Sequence, residues 1–185
     1  LKKQIVISVL SKDRPGIIAH VAGVIYELNG DLADMSQSVL NGFFSMIVIA
    51  RFDKNVAVED IIEKLESFDS KTSLEVIVKE TDFDSIDHIG VLPSDIYVVT
   101  GQGKNRTGLV AAIGSFCSNN NINIIDYDTK LSNDIYSMIL EIDLSNTDSV
   151  EDIHNKLDVM AENLGLKIVM QHKDLFETVN EISLN

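Results

Sequence analysis

Two short turns hold the residue types in this chain best suited to chemistry: Ser11-Lys12-Asp13-Arg14-Pro15-Gly16-Ile17 and, 92 positions further on (104 − 12), Gly103-Lys104-Asn105-Arg106-Thr107-Gly108-Leu109. Each lies between an apolar, β-branched run and an amphipathic stretch, so each opens a helix. Backbone amides without intrahelical partners and the positive end of the helix dipole gather at such a turn, which suits a carboxylate or a phosphate. Gly16 and Gly108 remove the side chain that would block a close approach. The same residues have a plain structural use as well: Pro15 is a good first-turn residue and Asp13 a local cap.

Other chemistries find less support. Arg14 and Arg106 invite a comparison with acylphosphatase, a ferredoxin-like hydrolase that holds phosphate with an Arg in this loop, but the Gly-rich consensus around that Arg is absent. Gly101-Gln102-Gly103-Lys104 lacks both the upstream Gly and the following Ser or Thr of a phosphate loop, and the spacing fails for a dinucleotide fingerprint. His20, His88, His154 and His172 are far apart with no partners at metal-ligand intervals, so no metal and no cofactor are expected. The single Cys117 sits among Val110, Ile113 and Phe116 at helical spacing and reads as a buried thiol. No catalytic residue set announces itself, and the chain reads as a non-enzyme.

The elements that position the turns come in two copies. At the same offset Phe44-Ser45-Met46-Ile47 meets Tyr136-Ser137-Met138-Ile139, and Val58-Glu59-Asp60-Ile61 meets Val150-Glu151-Asp152-Ile153. In the first copy, Lys3 to Leu10 predicts a buried strand. Ile17, Ile18, Val21, Val24, Ile25 and Leu28 predict one face of a helix ended by Asn29-Gly30 as a left-handed cap. Strands follow at Leu32 to Leu40 and Phe43 to Phe52, joined by the hairpin pair Asn41-Gly42. A second helix carries Val58, Ile61, Ile62, Leu65 and Phe68, and a last strand runs from Leu74 to Lys79.

The second copy repeats this with Ile96 to Thr100, then Leu109, Val110, Ile113, Phe116 and Cys117, the turn Asn133-Asp134, the helix of Val150, Ile153, Leu157 and Met160, and Leu166 to Gln171. The order βαββαβ implies an α+β fold of two ferredoxin-like units, each a four-stranded antiparallel sheet with both helices on one face. The expected organisation is one domain over residues 1–80, an acidic linker over 81–94, a second domain over 95–173 and a tail over 174–185. In that tail Leu175, Val179 and Ile182 have helical spacing. The uncovered sheet face predicts that the units pack together and that the chain forms a homodimer.

With 45% hydrophobic and 24% charged residues the chain reads as an ordinary globular protein, and no apolar run is long enough to cross a bilayer. The first residues turn polar too quickly for a signal peptide, so a cytoplasmic protein is expected. A net charge of −14 repels a phosphate backbone and argues against direct nucleic-acid binding. Phe43, Phe44 and Tyr136 lie on third strands, where RNA-reading sheets stack bases, but their neighbours are not basic, so packing is the expectation for them.

Asp13-Arg14-Pro15-Gly16-Ile17, the amphipathic helix after it and Asn29-Gly30-Asp31-Leu32 resemble the signature of the ACT domain, a βαββαβ module that binds small ligands, usually amino acids, and regulates metabolic enzymes or transcription. The resemblance covers both halves. Two such modules without a catalytic domain resemble tandem regulators of the glycine cleavage system transcriptional repressor type. The resemblance implies an amino-acid ligand and a regulated protein partner or enzyme.

In amino-acid-binding members an Asn of this loop and an Asn opening the second strand hold the ligand across a domain interface. Those positions are Asn105 and Asn123 in the second copy and Asp13 and Asp31 in the first, and the family's histidine two residues before the loop Asn is replaced by Ser11 and Gly103. A carboxylate pair favours an ammonium group, whereas an Asn amide both donates and accepts. The implied ligand contacts are therefore Asn105, Arg106, Gly108, Leu109 and Asn123, with Asp13, Arg14, Gly16, Ile17 and Asp31 in the first copy. A ligand this small implies dissociation constants in the micromolar to millimolar range. A module that only docks a partner, with no ligand, is the first alternative, and an acylphosphatase-like hydrolase the second.

Overall fold

A near-continuous apolar and β-branched run lies between Lys2 and Lys12, and the strand it forms (β1) buries Ile5, Ile7 and Val9 on one side. In the computed structural model, which describes residues 2–67, 74–81 and 95–182, the same face continues on strand β3 (Phe43–Asp53) through Phe44, Met46, Val48, Ala50 and Phe52. With β2 (Asp31–Leu40) and β4 (Glu75–Thr81) these form a four-stranded antiparallel sheet in the order β2-β3-β1-β4. Helices α1 (Ile17–Glu27) and α2 (Val58–Glu66) complete the core with Ile17, Val21, Val24, Ile25, Ile61 and Leu65. The opposite sheet face leaves Leu10, Phe43, Ile47 and Ile77 exposed.

The second unit repeats the first: β5 (Ile96–Lys104), α3 (Leu109–Asn119), β6 (Asn123–Ser132), β7 (Ile135–Asp143), α4 (Val150–Leu164) and β8 (Leu166–His172), in the order β6-β7-β5-β8. Even the register repeats. Lys12 faces Phe43 as Lys104 faces Ile135, and the bulge at Leu32/Asp34 recurs at Ile124/Asp126. A final helix α5 (Lys173–Ile182) packs against β5 and β8, and its Lys173 Nζ donates to Glu141 of β7 at 2.9 Å. The chain divides into compact units over Leu1–Gly90 and Val91–Asn185.

Several local expectations shift. β5 extends beyond Thr100 to Lys104 and β1 beyond Leu10 to Lys12, so Ser11, Lys12, Gly103 and Lys104 belong to strands, because β3 and β7 continue to supply ladder partners there. β4 runs on through Thr81, the first residue of the expected linker; the rest of that linker, Phe68 and Leu184 lie outside the described residues. Ile18 (41% exposed) and Val110 (51%) stand off the core faces assigned to them, since the inward position goes to Ile17 and Leu109 and each next residue turns about 100° away. At the end of α1 the left-handed residue is Asn29 (φ 54°), with Asn29 N donating to Tyr26 O and Gly30 N to Ile25 O, a Schellman closure. Gly30 is needed for space instead: a Cβ there would collide with the ring of Phe52.

Candidate functional site

Each turn is held by the hairpin beside it. Asn41 (φ 51°) and Gly42 (φ 81°) make the left-handed pair that joins β2 to β3, and Gly42 O accepts from Asp13 N at 2.9 Å. In the second unit Asn133 and Asp134 do the same, and Asp134 O accepts from Asn105 N at 2.8 Å. The chain then enters its helix through a glycine in the left-handed region, Gly16 (φ 97°) or Gly108 (φ 94°), which is the N-cap. No side chain caps either helix, so Asp13 is not the local cap, and Pro15 precedes the N-cap instead of standing in the first turn. The first intrahelical bonds run from His20 N to Gly16 O and from Ala112 N to Gly108 O, both 2.9 Å, leaving the first-turn amides without a partner inside the helix.

A cavity of about 480 Å³ opens at the first of these turns, lined by Asp13, Arg14, Pro15, Gly16, Ile17, Ile18, Ala19, Gln37 and Phe44. The cavity lies between the start of α1 and the inner side of β2, the edge strand that is exposed along its whole length and that contributes Gln37. Ile17 is 1% exposed, its side chain belongs to the core, and only its amide is available to a ligand. Of the residues singled out in the sequence, Asp13, Arg14, Gly16 and Ile17 line this cavity. Ile18, Ala19, Gln37 and Phe44 were missed. One signal was present: Gln37 is the polar break in an inward-facing row of Met35, Gln37 and Val39.

In the second unit Asn105, Arg106, Gly108 and Leu109 gather at the equivalent turn. There Arg106 Nη1 donates to Asn163 O at 3.4 Å, near the end of α4, and Leu109 is buried in the core. Phe44 is replaced by Tyr136 and Met35 by Tyr127, whose hydroxyls are 2.8 Å apart. Burial, then the hydrogen bond with Tyr136, pushes the Tyr127 phenol well above its usual range.

Asp31 and Asn123 are not brought to these turns within their own units. Asp31 pairs with Arg51 at one end of β2, whereas the turn lies beyond Leu40 at the other. Nine residues of strand at about 3.3 Å each separate those ends by ~30 Å. Asn123 stands opposite Asp143 in the same way.

The remaining sequence candidates resolve simply. Gly101 to Lys104 is strand, not a phosphate-binding loop. Phe44 (3% exposed) and Tyr136 (6%) face the helices and cannot stack on a base. Cys117 is buried, and burial pushes its thiol up to about 11. Among the described residues no group of three or more His, Cys, Asp or Glu is placed to hold a metal, and no helix is long and apolar enough to cross a membrane.

Twin four-stranded antiparallel sheets, each with two helices on one face and a glycine-capped turn after its first strand, define a tandem ferredoxin-like fold. The sequence profile of the ACT domain matches residues 3–79. A UPF0237 protein of Methanocaldococcus jannaschii is 33% identical over 86 residues, which cover 46% of this chain and 96% of that protein. A UPF0237 protein of Methanopyrus kandleri is 34% identical over 86 residues, with 46% and 96% covered. This chain belongs to the ACT domain family. Among solved structures, an unknown protein from Galdieria sulphuraria has a TM-score of 0.74 at 18% identity, covering 93% of this chain and 99% of its own. A protein proposed to be a glycine cleavage system transcriptional repressor has a TM-score of 0.69 at 14% identity, covering 93% and 98%. At such identities the likeness is one of fold.

Proposed function

We propose that this chain is a non-catalytic regulatory protein that senses an amino acid at the turn ahead of its helices and passes that state to a protein partner by contact. The observation that supports this most is the cavity at Asp13 to Ala19, whose volume of about 480 Å³ lies within the roughly 300–1,000 Å³ typical of small-ligand sites. Its polar groups suit a zwitterion. The α-carboxylate meets the amides that Gly16 leaves open, and the ammonium meets Asp13, so both charges are neutralised.

The far-end residues Asp31 and Asn123 fit this reading through a second copy of the chain. When two identical edge strands pair antiparallel, the start of one lies beside the end of the other. Asp31 of the partner subunit would then approach the turn beyond Leu40, and β2, exposed along its length, is the edge available for that pairing. Ligand binding across such a seam favours one packing of the modules, and a partner that reads the packing completes the regulation.

A thermal-shift screen of the amino acids tests the reading, because a ligand bound only by the native state stabilises it by about 2.7 kcal/mol at 100 times its dissociation constant. A dose-dependent rise in melting temperature with at least one amino acid is expected. No rise with any of them, together with capture of a defined protein partner, would establish the ligand-free docking module instead.

A further inference from the structure

The cavity of the first unit has two characters. Asp13, Arg14 and Gln37 supply its polar groups, and Ile18, Ala19 and Phe44 supply carbon. Ile18 is 41% exposed on the first turn of α1, and Val39, the cross-strand neighbour of Phe44, is 50% exposed. Isoleucine and valine left wet beside a hollow are apolar surface that an occupant of matching chemistry can cover.

The second unit shows what the alternative looks like. At the repeat positions of Met35 and Phe44 it carries Tyr127 and Tyr136, bonded hydroxyl to hydroxyl at 2.8 Å, with Tyr127 also 3.7 Å from Met138 Sδ. One copy thus places two hydroxyls where the other offers only carbon and sulfur. A hydroxyl-bearing side chain placed against Ile18, Ala19 and Phe44 would meet no acceptor on those residues and would give up part of its water.

We infer that the first unit's turn cavity selects an α-amino acid with an aliphatic side chain of the leucine class over glycine and serine. This rests on the amino-acid reading of the same site. The carboxylate and ammonium take the Gly16 amides and Asp13, and the side chain lies against Ile18 and Phe44. Each methylene fully removed from water is worth about fourfold in affinity. The cavity is open to solvent, so only part of the four-carbon side chain is covered, and a preference of at least tenfold for leucine over glycine is the rough expectation.

Calorimetric titration of the full chain with leucine, isoleucine, glycine, serine and isocaproate tests this. Leucine or isoleucine is expected to bind at least about tenfold more tightly than glycine or serine. Ile18→Ser, a change at an exposed residue that spares the core, is expected to lower leucine affinity by about fivefold and glycine affinity by less than about twofold. Phe44→Tyr, which copies what the second unit already accommodates, is expected to weaken leucine as well. Glycine or serine binding as tightly as leucine would overturn the side-chain selectivity and leave the amino-acid site standing. Isocaproate matching leucine would overturn the role of Asp13, and no binding by any of the amino acids would overturn both readings.

Discussion

Replacing Gly16 with alanine separates the turn's structural role from its binding role. Gly16 adopts φ 97° at the N-cap of α1, and Gly165 adopts φ 68° at the C-cap of α4, where an added Cβ meets nothing within 4 Å. An L-residue held in the left-handed region costs roughly 1–2 kcal/mol, so Gly16→Ala and Gly165→Ala should each lower stability by about that much. Urea unfolding measures this. Against a typical stability of about 5–15 kcal/mol the loss leaves both variants folded at room temperature, so their affinities can be compared directly.

Only Gly16→Ala disturbs the amides that face the cavity. A carboxylate at a helix start is worth roughly 0.3–2 kcal/mol, so a shifted first turn should weaken amino-acid binding by about fivefold, or ~1 kcal/mol. Gly165→Ala, in the other unit and at a helix end, should leave binding as it was. Equal losses of affinity in the two variants, or a Gly16→Ala protein that is destabilised yet binds normally, would refute the assignment of those amides to the ligand.

Two further outcomes follow from the second unit. At Gly103 a Cβ would lie 2.5 Å from Gly165 O and 3.2 Å from Leu166 Cα, backbone atoms that cannot step aside, whereas at Gly101 it would meet Met138 Cε at 2.6 Å, the end of a flexible side chain. Gly103→Ala should therefore cost about 1–3 kcal/mol in denaturant unfolding and Gly101→Ala under ~1, and equal costs would contradict this packing. The Tyr127 phenol holds its proton more tightly in the folded than in the unfolded chain, chiefly through burial. That stabilisation is complete below a phenol's ordinary value of about 10 and is lost as pH rises through the raised folded value. Tyr127→Phe should flatten the alkaline decline in the second unit's stability; an unchanged decline would contradict the assignment.

The element order was legible because the chain states it twice. Asn41-Gly42 fixed one hairpin, and the paired apolar spacings fixed the helices on both sides of it. What stayed hidden depended on how elements cross. Asp31 entered through the resemblance, as a residue that holds a ligand across a domain interface, and α1, eleven residues long at about 1.5 Å each, carries the chain back toward the start of β1 before β2 begins, so Asp31 lies far from the turn of its own unit. Ile18 read as core because an i, i+1 pair of isoleucines looks like one face, but a helix gives the inward place to one of them. Gly30 looked like a dihedral requirement and proved to be room for Phe52. The cavity itself is a gap between α1 and β2, and a gap has no residues of its own to announce it.

The most direct test is a backbone-amide NMR titration of the full chain with leucine. The amides of Gly16, Ile17, Ile18 and Ala19 should shift with saturation while those of β4 and α5 stay in place. Shifts confined to other surfaces, or no shifts at millimolar leucine and every other amino acid tried, would contradict a small zwitterion bound at the glycine turn.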